Sequence, residues 1–164
     1  MNNETPSQTR RGQHLGATVS SPGSPRGLEA LAATGLSILV VEDNPHIMEM
    51  YSYALKKLAA GELRGKVPLE VHYAADGHGA LAQLWQRPFQ LVVTDLYMPV
   101  MDGFALVERI RGDEKLKHIP VLAISAGGAD AQERALGLGV NSYLQKPVRF
   151  AQVLETVKHL LEIQ

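Results

Sequence analysis

Reactive and charged side chains follow directly after four short apolar runs of the sequence. Glu42 and Asp43 follow the run SILVV, Asp95 follows FQLVVT, Ser125 ends VLAIS, and Lys146 follows SYLQ. Three carboxylates brought together repel one another, by roughly 4 kcal/mol per pair at 4 Å and an effective dielectric of 20. A cation is therefore expected among them.

The ligand atoms that these positions offer are oxygens, because no His or Cys lies at the ends of the runs. Hard oxygen ligands with space left for water suit Mg²⁺, which takes one or two carboxylates together with phosphate oxygens. Lys146 adds a second positive charge, and Ser125 adds a hydroxyl donor. Aspartate is a known covalent nucleophile in phosphoryl transfer, and cations stabilise the charge of the transferring group. The residue types therefore predict a carboxylate that accepts a phosphoryl group.

Alternating apolar runs and helical patterns indicate the elements that position these residues. The five runs expected to form strands are Ser37–Val41, Leu69–Ala74, Phe89–Thr94, Val121–Ser125 and Ser142–Gln145. Apolar residues at helical spacing predict helices over 47–58, 79–86, 103–111, 129–136 and 150–161. A strand–helix alternation repeated five times predicts an α/β fold, a parallel sheet covered by helices on both faces. Sites in such sheets form at the carboxyl ends of the strands, so the reactive residues are expected to converge there.

The composition limits the class of protein. The 164 residues carry a formal net charge of −1, which argues against a strongly basic nucleic-acid binder. The sequence contains no Cys, which excludes a disulfide framework, a thiol nucleophile and a Cys zinc site. No apolar run is long enough to span a bilayer, and the N-terminus lacks the apolar core of a secretory signal. We therefore expect a cytoplasmic protein.

The composition changes near residue 36. Residues 1–36 are rich in Ser, Thr, Pro, Gly, Asn and Gln, and they contain no Ile, Phe, Tyr or Trp. Such a segment buries too little apolar area to offset its ordering entropy, so a disordered N-terminal extension is expected. The helical pattern at 28–33 within it is too short to hold alone. Residues 37–164 are expected to form one domain.

Four motifs carry a resemblance to a known family. The segments VVEDN, VVTDLYMPVMDG, AISA and YLQKP resemble the receiver domain of response regulators, the CheY-like family of two-component signalling, and the likeness covers residues 37–164. The resemblance implies a flavodoxin-like, doubly wound (βα)5 fold with a five-stranded parallel sheet of order 2-1-3-4-5. It also implies a stand-alone receiver, since the likeness covers essentially everything beyond the N-terminal extension.

The resemblance implies roles for the acidic residues. Asp95 would be the phosphoacceptor. Glu42, Asp43 and Asp95 would hold Mg²⁺, with Asp43 a more direct ligand than Glu42. The backbone carbonyl of Tyr97 would be a further metal ligand.

The resemblance also implies roles for the residues that respond to phosphorylation. Ser125 would hydrogen-bond a phosphoryl oxygen and move towards it on activation, and Lys146 would contact the phosphoryl group. Tyr143 would be the switch aromatic, changing rotamer as Ser125 moves. The bond between Lys146 and Pro147 is expected to be cis.

The sequence departs from the commonest family pattern at a few positions. Glu42 replaces a frequent Asp, and Ser125 replaces a frequent Thr while keeping the hydroxyl. Tyr97 and Gly127 occupy two positions that affect how fast the acyl phosphate hydrolyses in this family. Our hypothesis is that Tyr97 partly shields the phosphoryl group from water, while Gly127 leaves one approach open.

The function implied is that of a signalling switch. A histidine kinase or phosphotransfer protein would phosphorylate Asp95, and phosphorylation would change a protein-binding face formed by the helix at 129–136, the strand at 142–145 and the helix at 150–161. The domain would catalyse only its own phosphorylation and dephosphorylation, and so would not be an enzyme acting on an external substrate. No effector domain follows the last helix, so regulation is expected through protein contacts, including a possible homodimer, without direct nucleic-acid binding.

Three alternative functions fit the residues less well. A haloacid-dehalogenase-like phosphatase requires a second Asp two residues past the nucleophile, where this sequence has Tyr97. A nucleotide- or flavin-binding module requires a Gly-rich phosphate loop after the first strand, where this sequence has EDNPH. An unphosphorylated pseudo-receiver that acts by binding alone stays the main alternative, although the complete set of acids, Ser and Lys argues against it.

Overall fold

A computed structural model describes residues 26–61, 63 and 65–163. The helices are α1 (Arg26–Thr34), α2 (Pro45–Ala60), α3 (Gly77–Gln86), α4 (Gly103–Gly112), α5 (Ala129–Leu138) and α6 (Phe150–Leu160). The strands are β1 (Leu36–Val41), β2 (Leu69–Ala74), β3 (Leu91–Thr94), β4 (Val121–Ser125) and β5 (Ser142–Gln145). Every predicted strand and helix is present, with ends that differ by two residues at most for the strands.

The strands form one five-stranded parallel sheet of order β2-β1-β3-β4-β5. This confirms the flavodoxin-like, doubly wound α/β fold. The strand order reverses at β1, which pairs with β2 on one side and β3 on the other. Val41 of β1 lies opposite Thr94 of β3, so the residues that follow these two strands emerge side by side.

Each face of the sheet packs against its own set of helices. Leu39 and Val41 of β1 face a core cluster shared with α3, α4 and α5, whereas Ile38 and Val40 face a second cluster shared with α1, α2 and α6. All four side chains are fully buried. Because successive residues of a strand point to opposite faces, a continuous β-branched run is what a sheet covered on both faces requires.

The disorder expected for the N-terminal extension is not found in its last part, which forms a helix. Residues 1–25 lie outside the described residues, but Arg26–Thr34 form α1, and Leu31 is only 6% exposed and packs in the second core cluster. Gly35, with a φ of 80°, ends the helix, and its N–H donates to the Leu31 carbonyl. A short helix is marginal alone, but the packing of one apolar side chain into the core stabilises it here. β1 accordingly begins at Leu36, one residue before the expected domain boundary.

Among the described residues, no helix has the length and apolar character needed to cross a membrane.

Candidate functional site

The structure brings the three acids together at the carboxyl edge of the sheet. The Asp95 N–H donates to the Val41 carbonyl at 3.0 Å, which places the end of β3 beside the end of β1. One carboxylate oxygen from each of Glu42, Asp43 and Asp95 lies within 4.8 Å of the other two. The convergence expected from strand topology is therefore present.

The Asp95 carboxylate is held by three donors. Its Oδ1 accepts hydrogen bonds from the N–H groups of Leu96 at 2.6 Å and Tyr97 at 3.2 Å. Its Oδ2 accepts from Nζ of Lys146 at 2.8 Å. Asp95 is buried, at 8% exposure, and the charge of Lys146 compensates that of its carboxylate.

Lys146 also contacts Glu42. Its Nζ lies 3.3 Å from Oε2 of Glu42, which is 2% exposed. Burial raises the pKa of Glu42 to about 7, the charge of Asp95 adds to this, and the Asn44 N–H and Lys146 oppose it. Burial alone would lower the pKa of Lys146, but its hydrogen bond with Asp95 and the charges of Asp95 and Glu42 outweigh burial and raise it.

The donor set fits a hard divalent cation. Glu42 and Asp95 are buried, while Asp43 is exposed, so the cluster opens to solvent on the Asp43 side. Burial, and to a smaller extent the charge of Asp95, raises the pKa of Glu42, so a cation bound at this cluster would favour its charged form. Carboxylate oxygens are the ligands that Mg²⁺ prefers. The role of the Tyr97 carbonyl stays a prediction.

Helix caps and one glycine set the conformation of the loops that carry the acids. After β1, the Asn44 side chain caps α2 by accepting from the N–H of His46 at 2.9 Å, with Pro45 in the first turn. After β3, the Asp102 side chain caps α4 in the same way. Gly103 is required there, because a Cβ at this position would lie 2.1 Å from the Asp95 carbonyl oxygen. The start of α4 therefore packs directly against Asp95.

The two residues predicted to respond to phosphorylation, Ser125 and Tyr143, lie near Gly127 in the loop after β4. Ser125 is fully buried, and its Oγ accepts from the Gly127 N–H at 3.4 Å. The Tyr143 hydroxyl donates to the Gly127 carbonyl, so its ring points inward. Burial raises the pKa of Tyr143, a hydrogen bond with Ser125 opposes this, and the charges of Tyr97 and Asp95 add to it. Tyr143 therefore lies close enough to Asp95 for the charge of Asp95 to affect its pKa.

The bond between Lys146 and Pro147 is cis, as expected. A Cβ on Gly127 would lie 2.5 Å from the Ala131 Cβ and 3.0 Å from Cε2 and the hydroxyl oxygen of Tyr97. Gly127 thus makes room for both Ala131 and the Tyr97 ring, and the approach that it was expected to leave open stays a prediction.

Sequence reasoning missed three neighbours of the site. In the sequence Tyr51 is only part of the apolar stripe of α2, but burial raises its pKa and the charges of Glu42 and Asp95 add to this. Phe104 packs against Tyr97, and Arg134 lies over Phe104. Phe104 directly follows Gly103, so its nearness to the site could be inferred, whereas nothing in the sequence marks Arg134.

Comparisons with known proteins agree with this geometry. The family model described as the response regulator receiver domain matches residues 38–158. Chemotaxis protein CheY-3 of Vibrio cholerae is 35% identical over 136 residues, which cover 82% of this chain and 98% of that protein. The receiver domain of sensor histidine kinase PA1611 from Pseudomonas aeruginosa, described with a magnesium ion in its active site cleft, has a TM-score of 0.68 and 27% identity, covering 78% of this chain and 98% of that one. The phosphorylated cyanobacterial phytochrome response regulator RcpA has a TM-score of 0.63 and 31% identity, covering 78% and 92%.

The fold and the site together define a class, a flavodoxin-like signalling module with an acidic site at the carboxyl edge of its sheet. The chain belongs to the response regulator receiver domain family of two-component signalling, and it is homologous to CheY. Receiver domains are modules that interact with histidine kinases and effectors.

Proposed function

We propose that this chain is a phosphorylation-controlled switch in which Asp95 accepts a phosphoryl group. The observation that carries the proposal is the set of contacts on the Asp95 carboxylate. One oxygen is fixed by two backbone N–H groups and the other by Lys146, within a cluster that also holds Glu42 and Asp43. An orienting contact on each oxygen is what a nucleophile of fixed geometry needs.

The donor would be the phosphohistidine of a histidine kinase or phosphotransfer protein. An Asp95 carboxylate oxygen attacks the phosphorus, the bond from phosphorus to the imidazole nitrogen breaks, and that nitrogen keeps the electron pair. Lys146 lies 2.8 Å from the carboxylate and would neutralise charge on the incoming group. The reaction is the domain's own modification, with no external product released other than phosphate on later hydrolysis.

The cation proposed here is Mg²⁺. Glu42, Asp43 and Asp95 would hold it, together with the Tyr97 carbonyl. When bound, it supplies positive charge to the carboxylates and to the phosphoryl oxygens.

Phosphorylation would be read through Ser125 and Tyr143. The Ser125 hydroxyl would bond a phosphoryl oxygen, and Tyr143 would follow its movement by changing rotamer. The surface formed by α5, β5 and α6 would then bind an effector protein, or a second copy of this chain, with an affinity that depends on phosphorylation. No contact with nucleic acid is proposed, and the place of action would be the cytoplasm.

The test is an intact-mass measurement after incubation with acetyl phosphate and Mg²⁺. We expect one phosphoryl adduct, which is lost in Asp95→Asn and when EDTA replaces Mg²⁺. Asp113→Asn, which alters an acid outside the cluster, is the matched control and should be modified as the wild type is. A folded protein that forms no adduct would contradict the proposal and favour the pseudo-receiver, which binds partners without phosphorylation.

A further inference from the structure

The ring of Tyr97 connects the two loops that carry the acceptor and the switch serine. Its own N–H donates to Asp95 Oδ1 in the loop after β3. Its ring reaches the loop after β4, where a Cβ on Gly127 would lie 3.0 Å from both Cε2 and the hydroxyl oxygen of Tyr97. The ring therefore lies between the loop after β3 and Gly127, and 55% of Tyr97 is exposed.

Phe104 contacts the Tyr97 ring, and Arg134 in turn contacts Phe104. Phe104 of α4 is 3% exposed and meets Tyr97 edge-on, with ring centroids 5.7 Å apart and planes at 76°. The guanidinium of Arg134, on α5, lies 4.0 Å from the centroid of the Phe104 ring. Edge-on aromatic pairs and cations over ring faces are both attractive. The three side chains form a stack that runs from α5 to the mouth of the acceptor site.

We infer that Phe104 and Arg134 are positioning residues that keep the Tyr97 ring as a cover on the acceptor site and so slow the loss of the phosphoryl group. This inference rests on the proposed function, since it concerns the lifetime of phosphorylated Asp95. In hydrolysis, a water oxygen attacks the phosphorus and the bond to the Asp95 oxygen breaks. The electron pair of that bond returns to the carboxylate, and inorganic phosphate leaves with the oxygen and the protons of the water. A ring fixed over Gly127 excludes water from that side.

Arg134 also links the Tyr97 ring, through Phe104, to the exposed surface of α5. It is exposed on α5, a helix of the face proposed to bind effectors. A partner that draws Arg134 away from Phe104 would have the same effect as its removal, so binding on α5 and phosphoryl lifetime would be coupled.

The experiment follows the decay of the adduct by intact mass, after removal of acetyl phosphate, in four proteins: wild type, Arg134→Ala, Tyr97→Ala and the double variant. Loss of a cation–π contact predicts a half-life shortened about two- to fivefold in Arg134→Ala. Tyr97→Ala should shorten it at least as much. The central expectation is that Arg134→Ala has no further effect when Tyr97 is already Ala, because Arg134 acts through the ring.

Two variants serve as controls. Arg134→Lys keeps a cation over Phe104 and should retain most of the half-life, whereas Arg134→Gln keeps a long side chain without the charge and should shorten it. If the side chain acted only through its length, the two variants would have the same half-life. Arg109→Ala removes an exposed Arg of α4 that has no part in the stack, and should leave the half-life unchanged.

A second measurement reports on the stack without phosphorylation. In protein labelled with 3-fluorotyrosine, the ¹⁹F resonance of Tyr97, assigned through Tyr97→Phe, should shift in Arg134→Ala, while that of Tyr53 on α2 should not. Adduct that decays equally fast in wild type and Arg134→Ala, or independent effects of the two substitutions, would overturn this inference alone. The absence of adduct in every variant would overturn the proposed function and this inference with it.

Discussion

The two ends of the sheet are built from opposite kinds of interaction. At its carboxyl end, which we call the acidic end, Glu42 and Asp95 share Lys146, and Asp43 lies beside them. At its amino end, the apolar end, side chains from both termini of the described chain and from the α2–β2 connection pack together; they are Leu31, Leu36, Leu63, Val67, Leu161 and Ile163.

The two ends are therefore expected to differ in what they contribute to stability and to function. Buried acids with one shared cation cost folding free energy, as the raised pKa of Glu42 indicates, and such a cluster is retained where its chemistry is used. The apolar end carries no buried charge among its members and contributes by removing apolar surface from water. Substitutions at the acidic end should therefore change phosphorylation more than stability, and those at the apolar end the reverse.

The largest effect is expected for Lys146→Met, which keeps an apolar chain and removes the charge. Removing one preorganised electrostatic contact to a reacting group typically slows a reaction about 100- to 1000-fold. We therefore expect phosphorylation by acetyl phosphate to slow by about that factor, measured as the rate of adduct formation by intact mass. Lys117→Met, at an exposed lysine paired with Glu114, is the matched control. Equal rates in Lys146→Met and wild type would show that the contact with Asp95 has no role in the reaction.

The next effect concerns the apolar end. Leu31→Ala removes a buried side chain and should lower the free energy of unfolding by about 3 kcal/mol, measured by urea denaturation. Its rate of phosphorylation should stay that of the wild type. Leu136→Ala, at a leucine 45% exposed, should change stability by less than about 0.5 kcal/mol. If Leu31→Ala were as stable as Leu136→Ala, α1 would not be part of the folded core.

The smallest effect is a pH dependence of stability in EDTA. The pKa of Glu42 is raised from 4.5 to about 7 in the folded chain, which means that folding favours the protonated carboxyl group. The stability that this preference contributes is fully present below pH 4.5 and is lost as the pH rises through 7. Glu42→Gln should flatten this slope, and at pH 8 its free energy of unfolding should exceed that of the wild type by about 2 kcal/mol. The measurement is urea unfolding at several pH values, with the exposed Glu114→Gln as control. A less stable Glu42→Gln at pH 8 would contradict the view that this buried charge costs stability.

Much of the fold and the site could be predicted because both depend on local patterns. Buried parallel strands read as continuous apolar runs, and the topology then brings their ends to one edge. Asp95, Ser125 and Lys146 could therefore be identified from their positions at the ends of the runs or one residue beyond them. The caps at Asn44 and Asp102 were also visible, because side chain and backbone partner lie close in sequence.

The rest depended on contacts between distant residues. α1 holds because Leu31 reaches a core formed by segments up to 132 positions away in sequence, at Ile163. The stack of Tyr97, Phe104 and Arg134 depends on the packing of α4 against α5, which no local spacing encodes. The ligand role of the Tyr97 carbonyl, the switch role of Tyr143 and the expected disorder of residues 1–25 stay predictions.

The most direct test of the central claim is to locate the phosphoryl group on the chain. Borohydride converts an aspartyl phosphate to homoserine, and peptide mass mapping then identifies the modified position. We predict homoserine at position 95 and nowhere else, with Mg²⁺ required. Modification at Asp43 or at any other carboxylate, or none in a folded protein, would contradict the assignment of Asp95 as the acceptor.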